Sequence, residues 1–273
     1  MTGTLRELGE GVFAWLQDHP GSGRPNAGIV VDTDGLTLVD TLTTASQWGP
    51  LADAVEAFGQ PLRRVVLTSS HVPYVGGTNR FWTAARYARS QTSAHLDQPP
   101  NLEGWRRLFP DLASEFTDDF TTRPVTHVVD EAAWLTPRVL AVPVTGQQLQ
   151  NLVVQVPDAG VLFAGAMCAF GVTPNAFDGN PDTWADQLTA MTDWGPTIVP
   201  GIGSIGGPND VVALQAYLWA CAEADGDPAA IPDGPWDTWT ERDLDVVNIE
   251  RAAMLAAGDE GVPPSMLARL GLR

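Results

Sequence analysis

The spacing of apolar and polar positions divides the chain into two similar halves. Residues 11–17, GVFAWLQ, read as a strand and run into a Gly- and Pro-rich loop. GIVVDTDGLTLVDT, residues 28–41, reads as a hairpin turning at DTDG. From 45 to 58 the period becomes helical, with Trp48, Leu51, Val55 and Phe58 on one face. RRVVLTS, 63–69, is a short β-branched strand, and 76–88 is predicted as a helix starting at its glycines. A helical and loop segment continues to about residue 123. Three further strands are predicted at 138–144, 151–157 and 161–167, and helices at 181–193, 208–224 and 237–257, with a short strand, TIVPG, between the first two helices. Strands then helices, twice over, predict an α/β sandwich with two sheets inside and helices outside. No linker-like break interrupts it, so residues 1–273 are expected to form one domain, with the helices from about 208 to 273 packed on it.

Composition narrows the partners. The chain is 44% hydrophobic and 18% charged, and no run approaches the roughly 18 apolar residues of a membrane span. The N-terminal MTGTLRELGEGVF lacks a secretory pattern, so a cytoplasmic protein is expected. Acids outnumber bases 33 to 15, for a formal charge of −18. Such a surface repels phosphate backbones and anionic headgroups, which argues against nucleic-acid and membrane partners. Every Lys/Arg position is arginine, which excludes lysine Schiff-base chemistry and, beside abundant Ala, Gly and Pro, hints at a GC-rich genome. Cys168 and Cys221 form no CxxC pair, so neither a disulfide nor a cysteine zinc site is expected. The four histidines are His19, His71, His95 and His127.

LTSSHVPYVGG, residues 67–77, places hydroxyls, an imidazole and a phenol at the carboxyl end of a strand, where α/β folds bind ligands. His71 can move protons near neutral pH, Tyr74 can donate a hydrogen bond, and Ser69 and Ser70 can donate or attack. The same residues also suit a turn whose serines satisfy loose backbone groups around a structural histidine. His95 is read as structural, His127 as an exposed edge-strand residue, and Trp48, Trp82, Trp184 and Trp219 as core-like helix positions.

Taken in order, these stretches resemble the metallo-β-lactamase superfamily. NAGIVVDTDGLTLVDT is similar to its opening hairpin and ends in a bracing aspartate, here Asp40. VVLTSSHVPYVGGTNRF stands where the family writes T-H-x-H-x-D-H-x-G-G. VTGQQLQNLVVQVPDAGVLFAGAM matches the G-H-T-x-G turn, two strands and G-D, and IVPGIGSIGG the closing P-G-H-G loop. The resemblance implies a four-layer αββα sandwich. It also implies metal-ligand positions at Ser69, His71, Pro73, Tyr74, Gln147, Ala166 and Ile202, of which only His71 keeps a family ligand. Zinc needs three or four N, O or S donors at about 2.0–2.3 Å. Proline, alanine and isoleucine supply no side-chain donor, so no metal and no other cofactor is expected. A relocated site would have to draw on Cys168, His19, Asp178 or Asp182.

With those ligands gone, a larger and less polar cleft is expected, walled by Ser69, Ser70, His71, Tyr74, Gln147, Ala166, Cys168 and Ile202. Loops 17–26 and 169–182, the latter carrying Phe170 and Phe177, would cover it. Such walls suit a small organic molecule. One function class is a metal-independent enzyme of the kind found in bacterial specialised metabolism. There His71 acts as general acid or base with Tyr74 or Ser69 as its catalytic partners, while Ser70, Gln147, Cys168, Phe170, Phe177 and Ile202 bind substrate. Cyclisation, dehydration, isomerisation and ester or lactone hydrolysis all fit. The alternative is a non-catalytic relative that binds a small molecule or a partner. The apolar C-terminal third is compatible with a homodimer.

Overall fold

The computed structural model describes residues 3–272, and its strands form two sheets. The first holds β1 (Thr4–Gly9), β2 (Val12–Leu16), β3 (Ala27–Asp32), β4 (Gly35–Val39), β5 (Leu62–Val66), β6 (Ala85–Ala88) and β7 (His127–Val128), side by side in chain order. β1 to β4 pair antiparallel, and β4 to β7 run parallel. The second sheet contains β8 (Ala133–Trp134), β9 (Leu140–Val144), β10 (Asn151–Val156), β11 (Val161–Phe170) and β12 (Thr197–Gly203), in the order β12-β11-β10-β9-β8. Central strands have no solvent face, so their apolar runs are continuous: every residue of β4 and of β11 is buried.

Between the sheets lies a core built largely of valine, with Val12, Val30, Val39 and Val66 facing Leu152, Val154 and Phe163. Gly28 sits where a β-carbon would collide with the Phe163 ring, so the sheets close together there only over glycine. Helix α1 (Ala45–Ala57) covers the outer face of the first sheet through Leu51, Ala52 and Val55. The short helices α2 (Val72–Val75), α3 (Ser90–Leu96) and α4 (Leu102–Leu108) follow it in the chain. Helices α5 (Pro181–Met191) and α6 (Pro208–Glu223) cover the second sheet, sharing a core with α7 (Asp245–Ala256) through Ile249; α8 (Pro264–Arg269) packs on α7 through Met266. This is the expected αββα sandwich. No helix among the described residues is long and apolar enough to cross a membrane.

Several expectations need correction. Residues 76–88 are not one helix: α2 passes into a 3-10 turn, and β6 follows. Gly76 and Gly77 lie against the carbonyls of Thr43 and Thr41, with no room for β-carbons, and Tyr87 is drawn into parallel pairing with Val66. The predicted helix at 237–257 starts only at Asp245, after Glu241 adopts a left-handed φ of 58°. Trp82 and Trp219 are 62% and 41% exposed rather than core residues, while Trp184 is buried. His95 lies in the last turn of α3. His127 is exposed on the edge strand β7, stacked on Tyr87.

Candidate functional site

Three segments meet at His71. The loop after β5 carries Ser69 and Ser70 and ends in His71, which caps α2. The turn between β9 and β10 carries Gln147 and Gln148, and the loop after β11 carries Phe177 and Asp178. The β9–β10 turn is seated by Gly146, whose φ of 140° and close approach to the Trp184 backbone exclude a side chain.

Asp40 sets the floor. It is buried with a left-handed φ of 61°; Thr68 N donates to its Oδ1 and Thr68 Oγ1 to its Oδ2, each at 2.8 Å. The resemblance implied this bracing role, and both bonds fall on Thr68. Gly165 lies against Thr68 so closely that a β-carbon would overlap its hydroxyl. Burial outweighs both hydrogen bonds and pushes the Asp40 carboxyl up to about 8.

Above this floor a single amide fills the centre. Gln148 Oε1 accepts from Ser69 Oγ at 2.7 Å, Ser70 N at 3.1 Å and Ser70 Oγ at 3.2 Å. Its Nε2 lies 2.9 Å from Ser70 Oγ, 3.1 Å from His71 Nε2 and 3.3 Å from Asp178 Oδ2. His71 Nε2 meets Asp178 Oδ2 at 2.9 Å, and Phe177 stacks on the imidazole with centroids 5.7 Å apart. Burial opposes the imidazolium, but the Asp178 carboxylate outweighs it and holds His71 above the usual imidazole value. Burial also works against the Asp178 carboxylate, yet His71 keeps it below the usual carboxylate range.

The tautomer follows from neighbouring amides. Asn151 Oδ1 accepts from Gln148 N at 2.8 Å, so its Nδ2 is the donor toward Gln147 Oε1 at 3.3 Å. Gln147 therefore turns its Nε2 toward His71 Nδ1, 3.2 Å away. Nδ1 accepts, and Nε2 carries the proton shared with Asp178. Asp178 favours the cation while the amide chain favours the neutral ring, so protonating Nδ1 requires Gln147 to move. The side chains of His71 and Asp178 are 22% and 35% exposed, which leaves the pair reachable from solvent.

The enlarged cleft expected from the sequence is filled. Ser69, Ser70, Tyr74, Gln147, Ala166, Cys168 and Phe170 are all buried. Cys168 and Phe170 belong to the core between β11 and the outer helices. Burial, with Asp40 and Cys168 adding to it, pushes the Tyr74 phenol up; its hydroxyl points at Gly201 and makes no hydrogen bond to His71. Ile202 and Phe177 are partly exposed. The structure thus gathers His71, Ser69, Ser70, Gln147 and Phe177, and leaves Tyr74, Cys168, Phe170 and Ile202 outside the hydrogen-bonded cluster. Gln148 and Asn151 were not singled out from the sequence, and Asp178 only as a relocated metal ligand. Gln148 lies 79 and 78 positions from the serines it bonds, so no local sequence signal pointed to it. A depression of about 530 Å³ lies elsewhere, between Trp48, Trp82, Phe120 and Arg123.

These side chains do not fit a zinc ion. The positions the resemblance assigns to ligands hold Ser69, Pro73, Tyr74, Gln147, Ala166 and Ile202 beside His71, whose two nitrogens are engaged by Gln147 and Asp178. Among the described residues, no group of three or more His, Cys, Asp or Glu side chains could hold a metal ion.

A sequence model described as the Metallo-beta-lactamase superfamily matches residues 20–167, more than half of the chain. The chain is also similar to solved structures at 19–21% identity. The metallo-beta-lactamase FIM-1 from Pseudomonas aeruginosa, in its mono-zinc form, is 19% identical over 85% of this chain and 98% of that one, with a TM-score of 0.61. A metallo-beta-lactamase from Hirschia baltica is 21% identical over 80% and 98%, with a TM-score of 0.60. One from Erythrobacter litoralis is 21% identical over 78% and 96%, with a TM-score of 0.57. At these identities the likeness is one of fold.

Proposed function

The chain belongs to the metallo-beta-lactamase superfamily, and from that premise we propose that it is a metal-independent, hydrolase-like enzyme in which His71 and Asp178 carry out proton chemistry on a small organic molecule. The observation that carries the reading is the reachable His71–Asp178 pair, held in one tautomer by Gln147 and backed by Phe177. A ligand resting its apolar part on Phe177 displaces the Gln147 amide from Nδ1. The freed nitrogen then takes or returns a proton while Asp178 steadies the opposite side of the ring. The Gln148 amide and the Ser70 hydroxyl stand next to it as donors for a developing oxyanion. That role passes to them because Gln148 Nε2 lies 3.1 Å from His71 Nε2 and bonds Ser70 Oγ, whereas the Ser69 hydroxyl is given to Gln148 Oε1 and the Tyr74 hydroxyl points at Gly201. Ester or lactone hydrolysis, dehydration, isomerisation and cyclisation all use these parts, and the acidic surface supports a small-molecule partner over nucleic acid.

One observation favours a second reading, a pseudoenzyme that only binds: both imidazole nitrogens are occupied and Gln148 fills the space beside Ser69. The test is turnover of p-nitrophenyl acetate and a panel of small lactones and esters by the wild type, His71→Ala and Asp178→Asn. The enzyme reading expects each substitution to lower kcat/KM by about a hundredfold, the lower end of what positioned proton transfer contributes. Undiminished turnover in both variants would overturn it. Saturable ligand binding without turnover in any of the three proteins would establish the binder.

A further inference from the structure

The loop that brings Asp178 to His71 lies outside helix and strand, and few of its hydrogen bonds are its own. Gly179 N donates to Ala176 O at 2.9 Å, and Phe177 N to Asn175 Oδ1 at 3.2 Å. Its firmest partners come from α7, more than sixty positions further along the chain. Asn248 Oδ1 accepts from Ala176 N at 2.9 Å, and Asn248 Nδ2 donates to Pro174 O at 2.8 Å. One helical turn later, Arg251 Nε donates to Gly179 O at 2.8 Å. The two side chains grip the backbone on either side of Phe177 and Asp178. Phe177 itself packs against the cluster formed by Leu244, Val247 and Met266.

Both grips are themselves braced. Asn248 Nδ2 also meets Tyr217 Oη at 2.9 Å, and that hydroxyl donates to Asp245 Oδ1 at 2.7 Å. Arg251 Nη1 donates to the carbonyls of Glu260 and Gly261 at 3.1 and 2.7 Å. Asn248 and Arg251 are buried, and among the described residues Arg251 has only backbone carbonyls as hydrogen-bond partners. A buried arginine needs its donors filled, so the geometry it imposes on Gly179 O is costly to abandon.

We propose that Asn248 and Arg251 are positioning residues: they hold the 174–179 loop so that Asp178 stays on His71, which makes the C-terminal helices part of the site. The functional weight of the clamp rests on the reading of His71 and Asp178 as the working pair; its existence does not, and the test separates the two. Imidazole nitrogen spectra of the full-length protein resolve four histidines, and His71→Ala identifies the signals of His71. Asp178→Asn gives the spectrum of a His71 without its carboxylate. Asn248→Ala and Arg251→Met are expected to shift the His71 signals most of the way to that spectrum, and Arg251→Lys, which restores a donor to Gly179 O, to recover part of the shift. Leu218→Ala, a core truncation on α6, is expected to lower stability and leave His71 in place. If Asn248→Ala does not fold, the Arg251 pair decides. Wild-type His71 signals in folded Arg251→Met, or an equal shift in Leu218→Ala, would overturn the clamp. Shifted signals in proteins that turn over no substrate would contradict the enzyme reading and leave the clamp standing.

Discussion

Replacing Trp184 by alanine is expected to lower the unfolding free energy by about 3–5 kcal/mol, the usual range for removing a buried aromatic from a core. Trp184 is among the largest fully buried side chains, on the inner face of α5 against Leu188, Leu214 and β11. Its indole Nε1 donates to Met167 O at 2.9 Å, so truncation also strands a buried carbonyl. Its backbone is the surface on which Gly146 rests, so the loss reaches the turn that presents Gln147 and Gln148. Trp184→Phe keeps most of the volume and gives up the hydrogen bond, and should lie between the two. Trp82→Ala is the contrast: at 62% exposure it should change stability by about 0.5 kcal/mol or less. Urea denaturation measures all three. A Trp184→Ala protein within about 1 kcal/mol of wild type would mean that α5 is not anchored as described.

The second large effect is a pH dependence set by Asp40. Its carboxyl rises from 3.8 in the unfolded chain to about 8 when folded, because burial penalises the charge more than Thr68 relieves it. Between those values the folded state holds a proton that the unfolded state has released. Stability from this group is therefore fully present below about 4 and is lost as pH rises through about 8, at up to about 1.4 kcal/mol per pH unit mid-window. His71, also raised on folding, acts in the same direction above its ordinary value. Asp40→Asn keeps the shape and removes the titration. Its denaturation midpoint should fall much less between pH 5 and 8 than that of the wild type. Parallel curves for the two proteins would show that Asp40 is ionised in the fold and that its two Thr68 bonds outweigh burial.

Much of the sandwich was readable because burial on both faces leaves continuous apolar text, as in LVVQV and VLFAGAM, and because DTDG dictates a turn. β1 was not, since TLRELG is an exposed edge strand paired on one side and carries almost no hydrophobic signal. The mistaken helix at 76–88 shows the opposite failure: its helical spacing was real, but backbone contact at Gly76 and Gly77 and pairing of Tyr87 overrode it. At the site, the chain could show which donors were missing but not what had replaced them. Gln148 is an ordinary polar residue until the fold sets it between Ser69, Ser70 and Asp178. Asp178 lies 107 positions from its partner His71, and local pattern carries no information over that distance. Tyr74 looked available because it stands at a family ligand position just after the polar run 68–71, yet α2 turns it inward into the core that holds Leu38 and Leu67.

The most direct test of a site that works through protons and amides is calorimetric titration of chelator-treated, full-length protein with Zn²⁺, wild type beside His71→Ala. The expected result is no stoichiometric high-affinity event that depends on His71, since its nitrogens face Gln147 and Asp178 and, among the described residues, no group of three or more His, Cys, Asp or Glu side chains could hold the ion. One tightly bound zinc per chain, lost in His71→Ala, would contradict the account.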